Sequence, residues 1–260
     1  MRKHAMSSQK ASQVKKDGHK KEVEFTYLIG LDDAYQNDRK AKKDVIDFNG
    51  DAHSIKSGKW WQIFLYSQNR IKNDYGFLAM NGMGQLILDC LNAFPNTFTE
   101  YCENKKVFKT KLQIPMVALK EKLQDVNRLK AFLSKSIFNS GEVQYLTIYN
   151  KFDNAFHCFY YTDVVDILSN NFIVANSVAL NDNQMPNQKV LFKLNKNIGE
   201  IEVRNDSEIH YKEIKFRLNG ELTTQLLFYK TNNKIELFNR VFVYDNAIKH
   251  FKIKNKKGNK

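Results

Sequence analysis

Cysteine is scarce and acid is short in this chain. Of 260 residues only three are cysteine, Cys90, Cys102 and Cys158, and they are scattered with no CxxC pair. His157 beside Cys158 has no partner at zinc-ligand spacing. A disulfide framework and a structural zinc site are therefore not expected, and a reducing cytoplasm is the expected setting. No apolar run approaches the roughly 18 residues a membrane-crossing helix needs, and the N-terminus lacks the apolar stretch of a signal peptide. No internal repeat is visible. Asp and Glu number 28 against 41 Lys and Arg, a formal charge of +13. That imbalance favours a phosphate-rich partner, DNA, RNA or an anionic membrane, and above all nucleic acid.

What is present is enough to fold. Hydrophobic residues make up 42% and aromatics 13%, which supports a proper core and one large domain or a domain with a sizeable subdomain. Residues 1–17 are polar and basic and read as a flexible arm. A helix is expected from Gly18 through Glu22 and Phe25 to a stop at Gly30. Residues 58–70 read as a helix, although their apolar run also suits a buried strand. Another helix spans 85–94, ending at Pro95. The run 115–138, with Pro115 in its first turn, has the clearest helical spacing of apolar residues. The second half turns strand-rich, with β-like runs at 143–149, 156–161, 189–194, 198–203, 209–218 and 235–243 around a short helix at 163–168. The expected class is α+β: a mixed central β-sheet flanked by helices, with a strand-rich C-terminal half. Lys249 to Lys260 form a second basic tail.

The segment 44–56 carries the chemistry. Two short apolar strands flank an Asn49-Gly50 turn, Asp44 opens the first and Lys56 closes the second. A carboxylate that can hold a divalent cation beside a lysine ammonium is the minimal kit for hydrolysing a phosphodiester. By strand alternation Asp51 and His53 face away from Lys56, and Asp47 lies an odd number of residues from Asp44. His53 thus reads as structural.

Asp44 followed by Ser54-Ile-Lys56 resembles the PD-(D/E)xK motif of type II restriction endonucleases. The resemblance covers residues 18–70, with weaker likeness at 129–135 and 201–206. It implies that Asp44 bridges metal and scissile phosphate, that Lys56 orients or deprotonates the attacking water, and that Glu22 is a first-helix glutamate added to the metal site. Gln62 and Tyr66 look like the Gln-xxx-Tyr feature of exonuclease relatives, on one face of the following helix. Ser54 stands where the second acid belongs, so the catalytic set Asp44, Ser54, Lys56, Glu22 and Gln62 departs from the pattern there. Glu24 is another acid that such a site can recruit from a helix.

The resemblance implies a magnesium (Mg2+) cofactor and no organic one. It also implies double-stranded DNA as substrate, 5′-phosphate products and a homodimer for palindromic sites. It divides the chain into a basic arm (1–17), a nuclease core (18–170) and a continuous recognition and dimerisation region (171–260). Candidate DNA contacts are Lys59, Arg70, Lys120, Arg128, Lys130, Arg204, Asn205, His210, Lys212 and Arg217. A rival match, Asp206 with Glu213-Ile-Lys215, keeps the second acid but lies in an alternating run that any half-exposed strand would show. The same features also suit a structure-specific or repair nuclease and a non-catalytic nucleic-acid-binding protein.

Overall fold

Alternation of apolar and polar residues resolves into two separate sheets. The computed structural model describes residues 8–31, 43–182 and 184–251. In chain order its elements are helix α1 (Ser8–Leu28), strands β1 (Val45–Ile46), β2 (Ala52–Lys56) and β3 (Trp60–Tyr66), and helices α2 (Gln68–Lys72), α3 (Tyr75–Ala79), α4 (Met83–Asn92), α5 (Phe98–Glu103), α6 (Lys105–Leu123) and α7 (Val126–Phe138). Strands β4 (Tyr145–Asn150) and β5 (Ala155–Tyr160), helix α8 (Tyr161–Asn171), and strands β6 (Ile173–Asn176), β7 (Lys189–Lys193), β8 (Asn197–Arg204) and β9 (Glu213–Asn219) follow. Helix α9 (Gly220–Lys230), strands β10 (Lys234–Phe238) and β11 (Val241–Tyr244), and helix α10 (Asn246–His250) complete it. The class is α+β, with a mixed six-stranded sheet and an antiparallel five-stranded sheet.

These elements form two units, each assembled from separate stretches of chain. The first takes residues up to Gly58, Gly141–Val164 and Leu227 onward; the second takes Lys59–Ser140 and Val165–Leu226. The expected partition at 170 is not the one the contacts draw.

In the first unit the strand order is β1-β2-β4-β5-β11-β10. Pairing is antiparallel for β1/β2, parallel for β2/β4, antiparallel for β4/β5 and parallel for β5/β11. One face buries Val45, Ile55, Tyr145, Phe156, Cys158, Val241 and Val243 with Phe25 and Leu28 of α1, Ile29 just after it and Ala247 of α10. The β1–β2 turn forms as its residues dictate. Asp47 Oδ1 accepts the backbone N–H groups of Asn49 at 2.8 Å and Asp51 at 3.0 Å. Gly50 takes φ +82°, a left-handed value that costs glycine little.

In the second unit the order is β3-β9-β8-β7-β6, all antiparallel. Its apolar face carries Phe64, Phe192, Ile201 and Phe216, packed with Phe77 and Phe132 from the helices. The opposite face is polar, and its charges pair across the strands.

Several expectations need correction. Helix α1 begins at Ser8, not Gly18. Nothing between them breaks a helix, and Gln13 Nε2 donates to Asp17 Oδ1 at 2.8 Å across one turn. The rest of the arm, residues 1–7, and the tail from Lys252 to Lys260 lie outside the described residues. The run 115–138 is two helices, because Asp125 caps a new one by accepting the N–H of Arg128 at 2.9 Å. The first of the two, α6, begins at Lys105, so Pro115 sits inside it rather than at its first turn. Residues 60–66 are strand, not helix: β-branched and aromatic residues on a bulged edge strand override the helix-like spacing. The run 235–243 is a hairpin that turns at Asn239 and Arg240, both at positive φ.

Candidate active site on the first hairpin

The hairpin register decides which side chains meet. Val45 pairs with His53; one step further Asp44 stands opposite Ser54, on the face that also carries Lys56. Asp44 N–H donates to the His53 carbonyl at 2.9 Å, which fixes its backbone. Its carboxylate then folds over β2. Asp44 Oδ2 accepts the N–H of Ile55 at 2.6 Å, lies 3.5 Å from Ser54 Oγ and 3.6 Å from Lys56 Nζ. The two charged side chains are 24% and 22% exposed, so both reach solvent at the edge of the sheet. Lys56 Nζ also donates to the Ile55 carbonyl at 3.3 Å.

This carboxylate has a plain structural duty as well. β1 is only two residues long, so it cannot pair the N–H of Ile55, and Asp44 Oδ2 takes that donor instead. Among the described residues every contact of the group runs through Oδ2.

The face opposite Lys56 is sealed. His53 is fully buried, stacked on Tyr145 at 4.5 Å and tilted against Phe25 at 5.1 Å. Its Nδ1 lies 2.9 Å from Thr147 Oγ1 and its Nε2 3.5 Å from Asp47 Oδ2. Burial holds its pKa below the ordinary histidine value, against the opposing pull of Asp47 and Asp51. Asp51 meets the hydroxyl of Tyr145 at 3.4 Å, and burial together with Asp47 raises its pKa. These acids belong to the packed side and do not join Asp44.

Glu22 is also committed elsewhere: its Oε2 lies 3.0 Å from His19 Nδ1, one turn back on α1. Glu24 bonds Lys21 at 2.6 Å and Arg240 at 3.1 Å. Among the described residues, no group of three or more His, Cys, Asp or Glu side chains is placed to hold a metal ion. A magnesium ion does not require one. It keeps several waters and is commonly held by one or two carboxylates plus substrate phosphate oxygens. Asp44, at a solvent-reaching edge, fits that mode, whereas Glu22 is paired with His19.

Gln62 and Tyr66 do not share a helical face. They lie on β3, paired with Arg217 and Ile214, and a bulge between them turns them to opposite sides of the sheet. Gln62 belongs to the second unit, while Asp44, Ser54, Lys56 and Glu22 belong to the first.

The expected DNA contacts all lie in the second unit, and several are already paired. Lys130 binds Asp166 at 2.7 Å, Arg204 grips both oxygens of Asp206 at 3.1 and 3.0 Å, and His210 meets Glu213 at 3.0 Å. Lys120 Nζ lies 3.7 Å from Glu121. Lys212 donates to Asn96 at 3.1 Å; burial, and then Lys72, lowers its pKa. Arg128 lies in the first turn of α7, Asn205 follows β8, and Lys59 and Arg70 are exposed, Arg70 lying 5.5 Å over the Tyr66 ring. Arg217 bonds Glu200 and stacks on Trp60. In the rival motif Lys215 is bound to Glu202, while Asp206 and Glu213 hold Arg204 and His210. Each of its members thus serves a separate ion pair.

Sequence reasoning missed a polar chain that runs through the buried His157 of β5. His157 Nδ1 lies 2.8 Å from the Tyr244 hydroxyl and Nε2 3.0 Å from Asp153. It joins residues far apart in sequence; only an unpaired histidine inside an apolar strand hinted at it. Among the described residues no helix is long and apolar enough to cross a membrane. No protein-family model, curated protein or solved structure matches the chain.

Proposed function

We propose that this chain is a magnesium-dependent deoxyribonuclease of the PD-(D/E)xK kind, cutting double-stranded DNA at specific sequences as type II restriction endonucleases do. The observation that carries the reading is the 3.6 Å approach of Lys56 Nζ to Asp44 Oδ2 at a solvent-reaching sheet edge. The net charge of +13 suits a polyanionic substrate.

In this reading Asp44 is the residue that would hold the cation. Magnesium, when bound, acidifies a water and neutralises charge at phosphorus. Lys56 donates hydrogen bonds that fix the attacking water in line with the scissile bond and offset developing negative charge. Ser54 donates its hydroxyl to Asp44, which orients the carboxylate but adds no charge. The products carry 5′-phosphate and 3′-hydroxyl ends, and palindromic sites are cut by a homodimer, one site per strand.

The test is a plasmid digest with and without magnesium. Asp44→Asn keeps an acceptor for the Ile55 N–H, so it preserves the hairpin while removing the charge. Discrete fragments from the wild type, with at least about 100-fold slower cutting by Asp44→Asn and by Lys56→Met, are expected. Near wild-type cutting by Asp44→Asn overturns the proposal.

A second reading, a non-catalytic nucleic-acid-binding protein, is favoured by one observation: Ser54 occupies the place of the second acid, and Asp44 already serves the β2 backbone. It is the outcome if DNA is shifted in a gel but stays intact in every divalent cation tried.

A further inference from the structure

We infer that the polar face of the β3–β9 ribbon in the second unit reads base edges in the DNA major groove, with Arg217, Gln62 and Trp60 as its reading group. The inference rests on duplex DNA being the ligand, as proposed above, but not on Asp44 or Lys56.

Strand pairing places the three together. Gln62 pairs with Arg217, and Trp60 with Asn219, two residues along β9. All three project from the face opposite the Phe64 and Phe216 core. Gln62 is exposed, Trp60 is 39% exposed and the Arg217 side chain 34%. β3 is the edge of its sheet, so the pair β3–β9 can enter a groove as a two-stranded ribbon, an element the major groove admits.

The charges around the group are layered. Glu200 and Glu202 have side chains only 7% and 17% exposed, while Lys189 and Arg217 above them are 33% and 34% exposed. Glu200 holds Arg217 through Nε at 2.6 Å and through a second, Nη2 contact, and Lys189 at 3.2 Å. Glu202 ties Lys189 to Lys215. Acids lie low and cations lie outward, so what a ligand meets is positive. Such an arrangement repels an acidic partner less than a bare carboxylate face would and complements phosphate.

Arg217 is also held in place. Its guanidinium lies 4.6 Å from the Trp60 ring centroid while Glu200 grips it from the other side. A fork fixed in this way has little side-chain freedom left to lose when it binds guanine O6 and N7, the commonest specific contact of arginine. Gln62 beside it has the matching pair of groups for adenine N6 and N7. A ladder serving stability alone would need neither the exposed glutamine nor the exposed indole.

The test uses the full chain in EDTA, so that binding is read without cutting. The probe is a pool of duplex oligonucleotides with a randomised centre, recovered by binding and sequenced. Wild type is expected to enrich a motif containing guanine. Arg217→Lys keeps the charge and a contact to Glu200 but loses the fork. It should lose the preference at that guanine by about 5- to 150-fold, while melting at the wild-type temperature and binding unselected duplex within about threefold. Trp60 and Trp61 are the chain's two tryptophans, and Trp61 is only 3% exposed; duplex binding should quench wild-type fluorescence, and Trp60→Phe should remove most of that quench. An unchanged motif in Arg217→Lys, no motif in the wild type, or equal competition by double-stranded RNA overturns the inference. Guanine-specific enrichment without magnesium-dependent cutting would sink the nuclease reading alone; cutting that depends on Asp44 with an unaltered Arg217→Lys motif would sink this one alone.

Discussion

Two histidines in the first unit are folded in as neutral groups, and this sets how stability responds to acid. Burial lowers the pKa of His53, with Asp47 opposing; burial lowers that of His157, with Asp153 opposing and Lys234 adding to the effect. An unfolded chain takes up protons near the ordinary value of 6.5 while the folded chain does not, so stability is present above that pH and is lost as pH falls through it. Each histidine contributes at most about 1.4 kcal/mol per pH unit. Calorimetry should show Tm falling by several degrees between pH 7.5 and 5.5. His157→Phe should have a lower Tm, since it strands the Tyr244 hydroxyl, but a flatter pH slope in that window. Glu202 acts lower down. Burial would raise its pKa, yet Lys189 and Lys215 outweigh burial and bring it to about 2, against an ordinary 4.5. Its contribution is complete above 4.5 and drains away as pH falls toward 2. Glu202→Gln should remove that acid-limb loss and leave the histidine window untouched. Equal slopes in wild type and both variants would show that other groups set the pH response.

At the level of elements, close backbone contact decides more than composition does. A Cβ on Gly84, at the start of α4, would stand 2.4 Å from the Phe77 carbonyl oxygen and 2.5 Å from the Leu78 Cα in α3. Backbone cannot swing aside as a long side chain can. Gly84→Ala should therefore cost about 1–3 kcal/mol despite the better helix propensity of alanine, and denaturant melts will measure it. Pro115 is the reverse case. Inside α6 it has no N–H for the carbonyl one turn earlier. Pro115→Ala should raise stability by about 1–2 kcal/mol, less whatever the freer unfolded chain takes back; a lower Tm would refute this. Both features explain where sequence reading stops. The hairpin 44–56 was legible because an Asn-Gly turn, a parity of two and a charged residue at each end are all local. Strands β4, β5, β7 and β8 were legible from local runs of β-branched and aromatic residues. The strand at 60–66 was not, because its partner Arg217 lies over 150 positions away. Nor was the break at Asp125, where a single capping carboxylate outvotes continuous apolar spacing. Of the site, Asp44, Ser54 and Lys56 lie together as their spacing implied, whereas the engagement of Glu22 by His19 depends on a rotamer that spacing does not encode.

For the whole molecule, each unit depends on pieces that the chain supplies at different times. Cutting the protein after residue 170 would leave the first unit without β10 and β11, and the second without β6, β7, β8 and β9. Such a fragment should lack the dispersed amide spectrum of a folded domain; a well-dispersed spectrum from residues 1–170 would show that the first sheet stands without its last strands. The same layout has a consequence for the ribosome. Strand β5 waits for β11 to occupy its open side, and β11 is made only at Val241, long after β1, β2 and β4 have left the exit tunnel. The second unit has all its segments by Leu226 and is able to close first. The part of the molecule translated earliest is then the last to finish. Until it does, an unpaired flank of β5 is open to any passing strand, which makes the synthesis of the stretch between Tyr160 and Val241 the interval in which a chaperone has most to protect.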